Sequence, residues 1–165
     1  MKNPIQNYWN LRLEALKENL EKNNFEVFIA DTREEAKTIA LEAIIPPLKA
    51  KSVSWGGSVS FVSTGLFHEL NESNDMEVLN TFDKSLSPEE MMELRRQSLM
   101  VDLYITGTNA ITEEGHLVNL DMVGNRVAAI TWGPKFVLLF IGRNKVCADL
   151  EEAMFRIKNY AAPVN

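Results

Sequence analysis

Apolar positions along the chain change period several times, and each change predicts a new element. Trp9, Leu13, Leu16 and Leu20 recur at steps of four, three and four, laying one apolar stripe along a helix that Asn23-Asn24 ends. Glu26 to Ala30 then reads as a strand. Thr32 with Glu35 three residues on forms a capping box, opening a helix whose buried face is Ala36, Ile39, Ala40, Ala43 and Ile44. Pro46-Pro47 stops it. Ser52 to Trp55 is a short strand closed by Gly56-Gly57, and a helix follows to about Leu70. Asn71 to Asp75 is a polar loop and Glu77 to Asn80 a short strand.

Further along, Ser87-Pro88 with Glu90 combines a cap, a first-turn proline and a box glutamate at the head of a helix. Leu103 to Thr106 is a strand ended by Gly107. Glu113-Glu114-Gly115 turns the chain between Asn109-Ala110-Ile111 and Leu117 to Leu120. Met122 to Asn125 is a second turn, and Arg126 to Trp132 a β-rich run. Gly133-Pro134 breaks that run before Phe136 to Ile141, the most apolar strand. Asp149 starts a last helix with Leu150, Ala153, Met154 and Ile157 on one face, ended by Ala162-Pro163. The early βα alternation predicts a parallel sheet with helices on both faces, an α/β fold in a single domain over residues 1–165. The hairpin-like stretch from Ile111 to Thr131 departs from a plain doubly wound order.

Composition narrows the function classes. Of 165 residues, 23 are acidic and 17 basic, a formal charge of −6. That balance opposes a nucleic-acid surface, which needs clustered cations to replace phosphate counterions. The longest apolar run, Phe136 to Ile141, is far too short for a bilayer, and the N-terminus lacks a signal-type apolar stretch. The one cysteine, Cys147, excludes an intrachain disulfide and fits a reducing, cytoplasmic setting. With distant His68 and His116 it gives no metal-ligand spacing. Neither the Rossmann fingerprint nor the Walker pattern is present, so the chain points to no cofactor of its own.

Candidate chemistry gathers at glycine-flanked strand ends. In Ser54-Trp55-Gly56-Gly57-Ser58-Val59-Ser60 a strand enters a Gly-Gly turn and a helix leaves it, a geometry that offers backbone N–H groups to an anion. Ser58 and Ser60 add hydroxyl donors; the plain alternative makes one of them an ordinary N-cap. Gly107, Asn109 and Thr112 lie in a run of small polar residues after a strand, where open α/β sheets place ligands. The alternative there is a capped turn. Glu113 and Glu114 are the candidate acid/base groups, set against a solvated hairpin tip. Asn119, Asn125 and Arg126 complete the polar set, Arg126 having the paired donors to clamp a carboxylate or phosphate. Lys145 follows the Phe136 to Ile141 strand and belongs to its C-terminal edge if that strand is parallel to its neighbours. Trp55 and Trp132 each end a strand beside a glycine.

Several of these motifs, in this order, resemble the lactate-utilisation protein C (LutC/YkgG, LUD-domain) family. They are Tyr8-Trp9 with Arg12-Leu13, Asn23-Asn24-Phe25, Gly56-Gly57-Ser58, Thr106 to Glu113, and Gly124-Asn125-Arg126-Val127-Ala128-Ala129. Gly133-Pro134-Lys135, Asn144-Lys145 and Arg156-Ile157-Lys158 before Ala161-Ala162-Pro163 complete the set. The resemblance implies a three-layer, Rossmann-like fold similar to the sugar-phosphate isomerases and CoA transferases. It also implies a role in oxidising lactate to pyruvate beside iron–sulfur partner proteins, and fuller members carry a cysteine-bearing tail after the Ala-Ala-Pro segment. A further likeness links Gly107 to Asn109, Gly115 and Asn119 with methylthioribose-phosphate isomerases, which hold an aspartate where Asn109 stands. An amide does not relay a proton.

Three function readings follow. The first is a pathway subunit that binds a small anionic ligand at Gly56, Gly57 and Ser58, oriented by Asn109, Asn125 and Arg126. The second is a transferase or isomerase acting on a phosphorylated or CoA-linked substrate, with Glu113 or Glu114 as acid/base or nucleophile. The third is a scaffold for iron–sulfur partners. A second copy of the chain, as a homodimer, is a further expected partner; nucleic acid and membrane are not.

Overall fold

The structure, a computed structural model, describes residues 3–164. Its elements run α1 (Pro4–Lys22), α2 (Arg33–Ile39), α3 (Ile45–Leu48), β1 (Ser52–Trp55), α4 (Val59–Val62), α5 (Leu66–Glu72) and β2 (Glu77–Leu79). Then come α6 (Pro88–Gln97), β3 (Leu103–Thr106), β4 (Ala110–Thr112), β5 (Leu117–Val118), α7 (Asn125–Thr131), β6 (Phe136–Leu139), β7 (Val146–Cys147) and α8 (Leu150–Arg156). The chain divides into two compact units, each assembled from separate segments. Met1–Asp31, Thr108–Leu120 and Ile141–Asn165 form a hairpin unit; Thr32–Gly107 and Asp121–Phe140 form a parallel-sheet unit.

The parallel-sheet unit holds four strands in the order β2-β1-β3-β6, every neighbouring pair parallel. Alternation along the strands separates two faces. Val53, Trp55, Leu103 and Ile105 pack with Ala40, Phe61, Leu66, Leu70 and Phe140 in the main core. Tyr104 packs in a smaller cluster with Val101 and Ala129. The α/β class, with a parallel sheet and helices, is as the alternation predicts. From β1 the chain crosses to β2 on one side and next to β3 on the other, so the direction of winding reverses at the β1/β3 crevice. Open α/β sheets bind ligands outside the C-terminal ends of such strands.

The hairpin unit places β4 between antiparallel β5 and parallel β7. Ile111 and Val146 pack with Leu16 and Leu20 of α1, while Ala110 and Cys147 pack with Ala153 and Ile157 of the C-terminal helix. Neighbouring residues of β4 therefore bury into different clusters, as a pleated strand requires. Burial pushes the Cys147 thiol above its ordinary pKa, which suits a small core residue.

Several boundaries differ from the sequence reading, each for a physical reason. Residues 26–30 form no strand: the segment is rich in strand formers but has no ladder partner, and only Val27 packs against a core. Pro46-Pro47 lie inside the last helical turn, α3, rather than beyond it. A π-helical turn over Ala40–Ile44 precedes them, and prolines are tolerated at the first positions of a helical turn. The turn ends at Lys49, in the left-handed region with φ 49°. The helix before Leu70 is split into α4 and α5 by Gly65. The largest difference is the run Arg126 to Trp132, which is helix α7 and not a β-run. Its β-branched residues favour a strand locally, but the Asp121 carboxylate accepts the Val127 N–H at 2.8 Å and so satisfies one donor of the first turn. Among the described residues no helix is long and apolar enough to cross a membrane.

Candidate functional site

The candidate residues divide between the two units. Gly56, Gly57, Ser58, Ser60, Gly107, Asn125 and Arg126 belong to the parallel-sheet unit; Asn109, Thr112, Glu113, Glu114, Asn119 and Lys145 belong to the hairpin unit.

In the parallel-sheet unit the turn after β1 meets the end of β3 at the crevice where the winding reverses. The Gly56 N–H donates to the Ile105 carbonyl at 3.0 Å, extending the ladder by one residue. A methyl carbon on Gly56 would sit 2.7 Å from the Tyr104 hydroxyl, 3.1 Å from Thr106 Oγ1 and 3.3 Å from Arg126 Cβ. Gly56 is therefore a glycine because three side chains close over it. One on Gly107 would sit 2.5 Å from Ser58 Oγ and 2.9 Å from the Phe140 carbonyl. Gly57 is different. Nothing lies within 4 Å of a Cβ there, and its φ is outside the left-handed region. Neither packing nor backbone conformation within the chain requires a glycine at this exposed position.

Beneath the turn lies a buried polar cluster. Tyr104 and Thr106, two residues apart on β3, share a face and have no exposed surface. Thr106 Oγ1 is buried without a hydrogen-bond partner, and so is Trp55 Nε1. Orphaned buried donors are uncommon because each forfeits its hydration. Burial pushes the Tyr104 phenol up to about 12, opposed by the Asn125 amide that donates to its oxygen at 3.4 Å. The hydroxyl is thus a neutral donor at physiological pH.

Arg126 is 8% exposed, and its fork is engaged inside the chain. Nε donates to Asp121 Oδ1 at 2.9 Å, Nη2 donates to the same oxygen, and Nη1 donates to the Gly107 carbonyl at 2.9 Å. The pair ties α7 and the Asp121 loop to the end of β3. That is positioning work, and not the direct anion clamp its residue type suggests.

Around the turn, Ser58 caps α4 by accepting the Phe61 N–H at 3.2 Å, leaving its hydroxyl proton to donate. The plain N-cap reading of Ser58 is thus present in the structure. Because α4 is a single turn, it lends little macrodipole to an anion. The polar attraction at this turn falls instead to individual N–H and O–H groups. Among the described residues the N–H groups of Gly57 and Ser58 have no partner within the chain. Ser60 lies on α4, half-buried.

In the hairpin unit the small polar residues close the hairpin. The Thr108 hydroxyl donates towards the Ala110 carbonyl at 2.9 Å and Asn119 Oδ1 at 3.0 Å, and Asn109 Oδ1 accepts the Leu120 N–H at 3.0 Å. Thr112 Oγ1 accepts the His116 N–H at 3.0 Å. Glu113 is held by Arg12, whose Nε donates at 2.5 Å, while the Glu114 side chain is 73% exposed, with His116 Nδ1 3.5 Å away. Lys145 ends a short 3-10 turn, half-buried.

Sequence reasoning missed Tyr104 and Asp121. The signal for Tyr104 was its two-residue spacing from Thr106 on a strand that ends in glycine. Asp121 was legible only with α7 in view. Of the aromatic pair, Trp55 is fully buried and Trp132 is 76% exposed.

No curated protein and no solved structure matches the chain. The LUD domain matches residues 13–165, a span that takes in both units and every candidate residue above. A match over nearly the whole chain settles descent: this protein belongs to the LUD domain family.

Proposed function

We propose that this protein is a lactate-utilisation subunit whose parallel-sheet unit binds a small carboxylate or phosphate at the Gly56-Gly57-Ser58 turn. The observation that carries the reading is Gly57, a glycine that the fold itself does not use, at the strand end where the winding reverses. A side chain there would occupy the space through which a ligand oxygen reaches backbone N–H groups. The ligand takes the Gly57 and Ser58 N–H groups and the Ser58 hydroxyl. Arg126, locked by Asp121, positions Gly107 and α7 beside it. The family relationship supports the link to lactate oxidation, and we place the subunit in the cytoplasm beside iron–sulfur partner proteins.

The test is a melting screen of lactate, pyruvate, sugar phosphates, CoA and folates. A true ligand at a hundred times its dissociation constant adds about 2.7 kcal/mol. Gly57→Ala should abolish that gain while leaving the unliganded protein at least as stable as the parent. If no compound raises the melting temperature, or if the gain survives Gly57→Ala, the assignment fails.

A further inference from the structure

A second concavity of the parallel-sheet unit lies beyond the C-terminal end of β2, an open groove of about 780 Å³. Its apolar walls are Phe67, Phe82, Val62 and Met91. Behind them sits the fully buried Trp55 indole, with its centroid 5.0 Å from the Phe67 ring and 6.1 Å from the Phe82 ring. Phe67 and Phe82 pack on each other at 5.4 Å. The wall is thus a fixed aromatic surface, and the indole N–H behind it is one of two orphaned buried side-chain polar atoms among the described residues.

Charge on this groove runs against the rest of the chain. The protein carries −6 overall, yet Lys84 and Arg95 both line the groove. Lys84 and Arg95 form no ion pair among the described residues. The one acid, Asp83, is committed locally: Oδ1 accepts the Ser85 N–H at 2.9 Å and the Ser85 hydroxyl at 2.7 Å, holding the carboxyl below its usual pKa range. Two unpaired cations therefore face one occupied carboxylate beside an apolar wall. Ligand sites combine a mostly apolar lining with a few charged groups that fix orientation, in volumes of roughly 300–1,000 Å³.

We infer that this groove binds a small aromatic carboxylate, its ring on the Phe67 and Phe82 wall and its carboxylate towards Lys84 and Arg95. No residue is shared with the glycine turn, so this site stands or falls independently of that one.

The experiment titrates the ¹⁵N-labelled full chain with 3-phenylpropionate, using propionate and 3-phenyl-1-propanol as charge-only and ring-only controls. The expected result is saturable movement of the Trp55 indole N–H signal and of Lys84 and Phe82 amides. Both controls should bind at least about ten-fold more weakly. Lys84→Gln and Arg95→Gln should each weaken binding about five-fold, the scale of a partly exposed ion pair. Val62→Glu, at a side chain 41% exposed, should abolish binding with the melting temperature unchanged. Gly57→Ala should leave it unaltered. Equal binding of the alcohol, signal changes confined to the glycine turn, or no saturation at millimolar ligand would each overturn the inference.

Discussion

Two adjacent glycines with opposite reasons for being glycine allow a sharp experiment. In Gly56→Ala the new methyl meets the Tyr104 hydroxyl at 2.7 Å, and an ordinary contact at that point begins near 3.4 Å. Something must therefore move by roughly 0.7 Å. Tyr104 cannot swing away, because it is fully buried against Val101 and Ala129, and Arg126 is tied to Asp121 and Gly107. Overpacking of this kind costs about 1–3 kcal/mol, offset by about 0.4–1 kcal/mol from the stiffer unfolded chain. The net loss is about 0–2.6 kcal/mol, centred near 1.3, which at that centre is about 3–5 °C in Tm for a chain of this length. Gly57→Ala meets no atom within 4 Å and keeps an ordinary φ, so only the unfolded-chain effect remains. It should gain about 0.4–1 kcal/mol. Urea denaturation followed by circular dichroism resolves the two. The reasoning is refuted if Gly56→Ala is more stable than the parent, or if Gly57→Ala is the more damaging of the pair.

Other outcomes follow from the same structure. Arg126→Met leaves Asp121, with a side chain only 9% exposed, without its guanidinium; urea denaturation should show a loss of about 3 kcal/mol. Ser87→Ala removes a complete capping box at the start of α6 and should cost about 1 kcal/mol by the same assay, with Ser87→Asn largely restoring it. The Asp102 carboxyl is held below its usual range first by Lys135 at 2.5 Å and then by the Lys51 N–H at 2.7 Å. A depressed folded pKa gives stability that is present above the unfolded value near 3.9 and is lost as pH falls through the folded value. Asp102→Asn should therefore lower the urea midpoint at pH 7 and flatten the stability profile below about pH 4. An unchanged acid limb would argue against the coupling.

Local signals in the sequence were reliable where the chain satisfies itself. The Thr32, Ser87 and Asp149 caps each accept the backbone N–H that their residue type predicts. Of the four parallel strands, β1, β3 and β6 were legible beside glycine, and β2 as a short strand after a polar loop. What the sequence concealed depends on partners distant in the chain. Residues 26–30 look like a strand until a ladder partner is required. Arg126 to Trp132 looks like a strand until Asp121 supplies the first turn of a helix. At the candidate site, Gly56, Gly57 and Ser58 were found as a motif, yet only coordinates separate the glycine that packing demands from the one it does not. Arg126 was singled out by residue type as an anion clamp, and in the structure its fork is aimed at Asp121 and the Gly107 carbonyl.

The interleaving of the two units also bears on how the protein is made. Once Phe140 has been added to the growing chain, every residue of the parallel-sheet unit has been made. The apolar stripe of α1 has by then emerged long before, yet Val146, one of its packing partners, and the whole of α8 are still unmade. Nascent α1 therefore spends most of synthesis with Leu16 and Leu20 incompletely covered, an exposed apolar stripe of the kind that chaperones shelter.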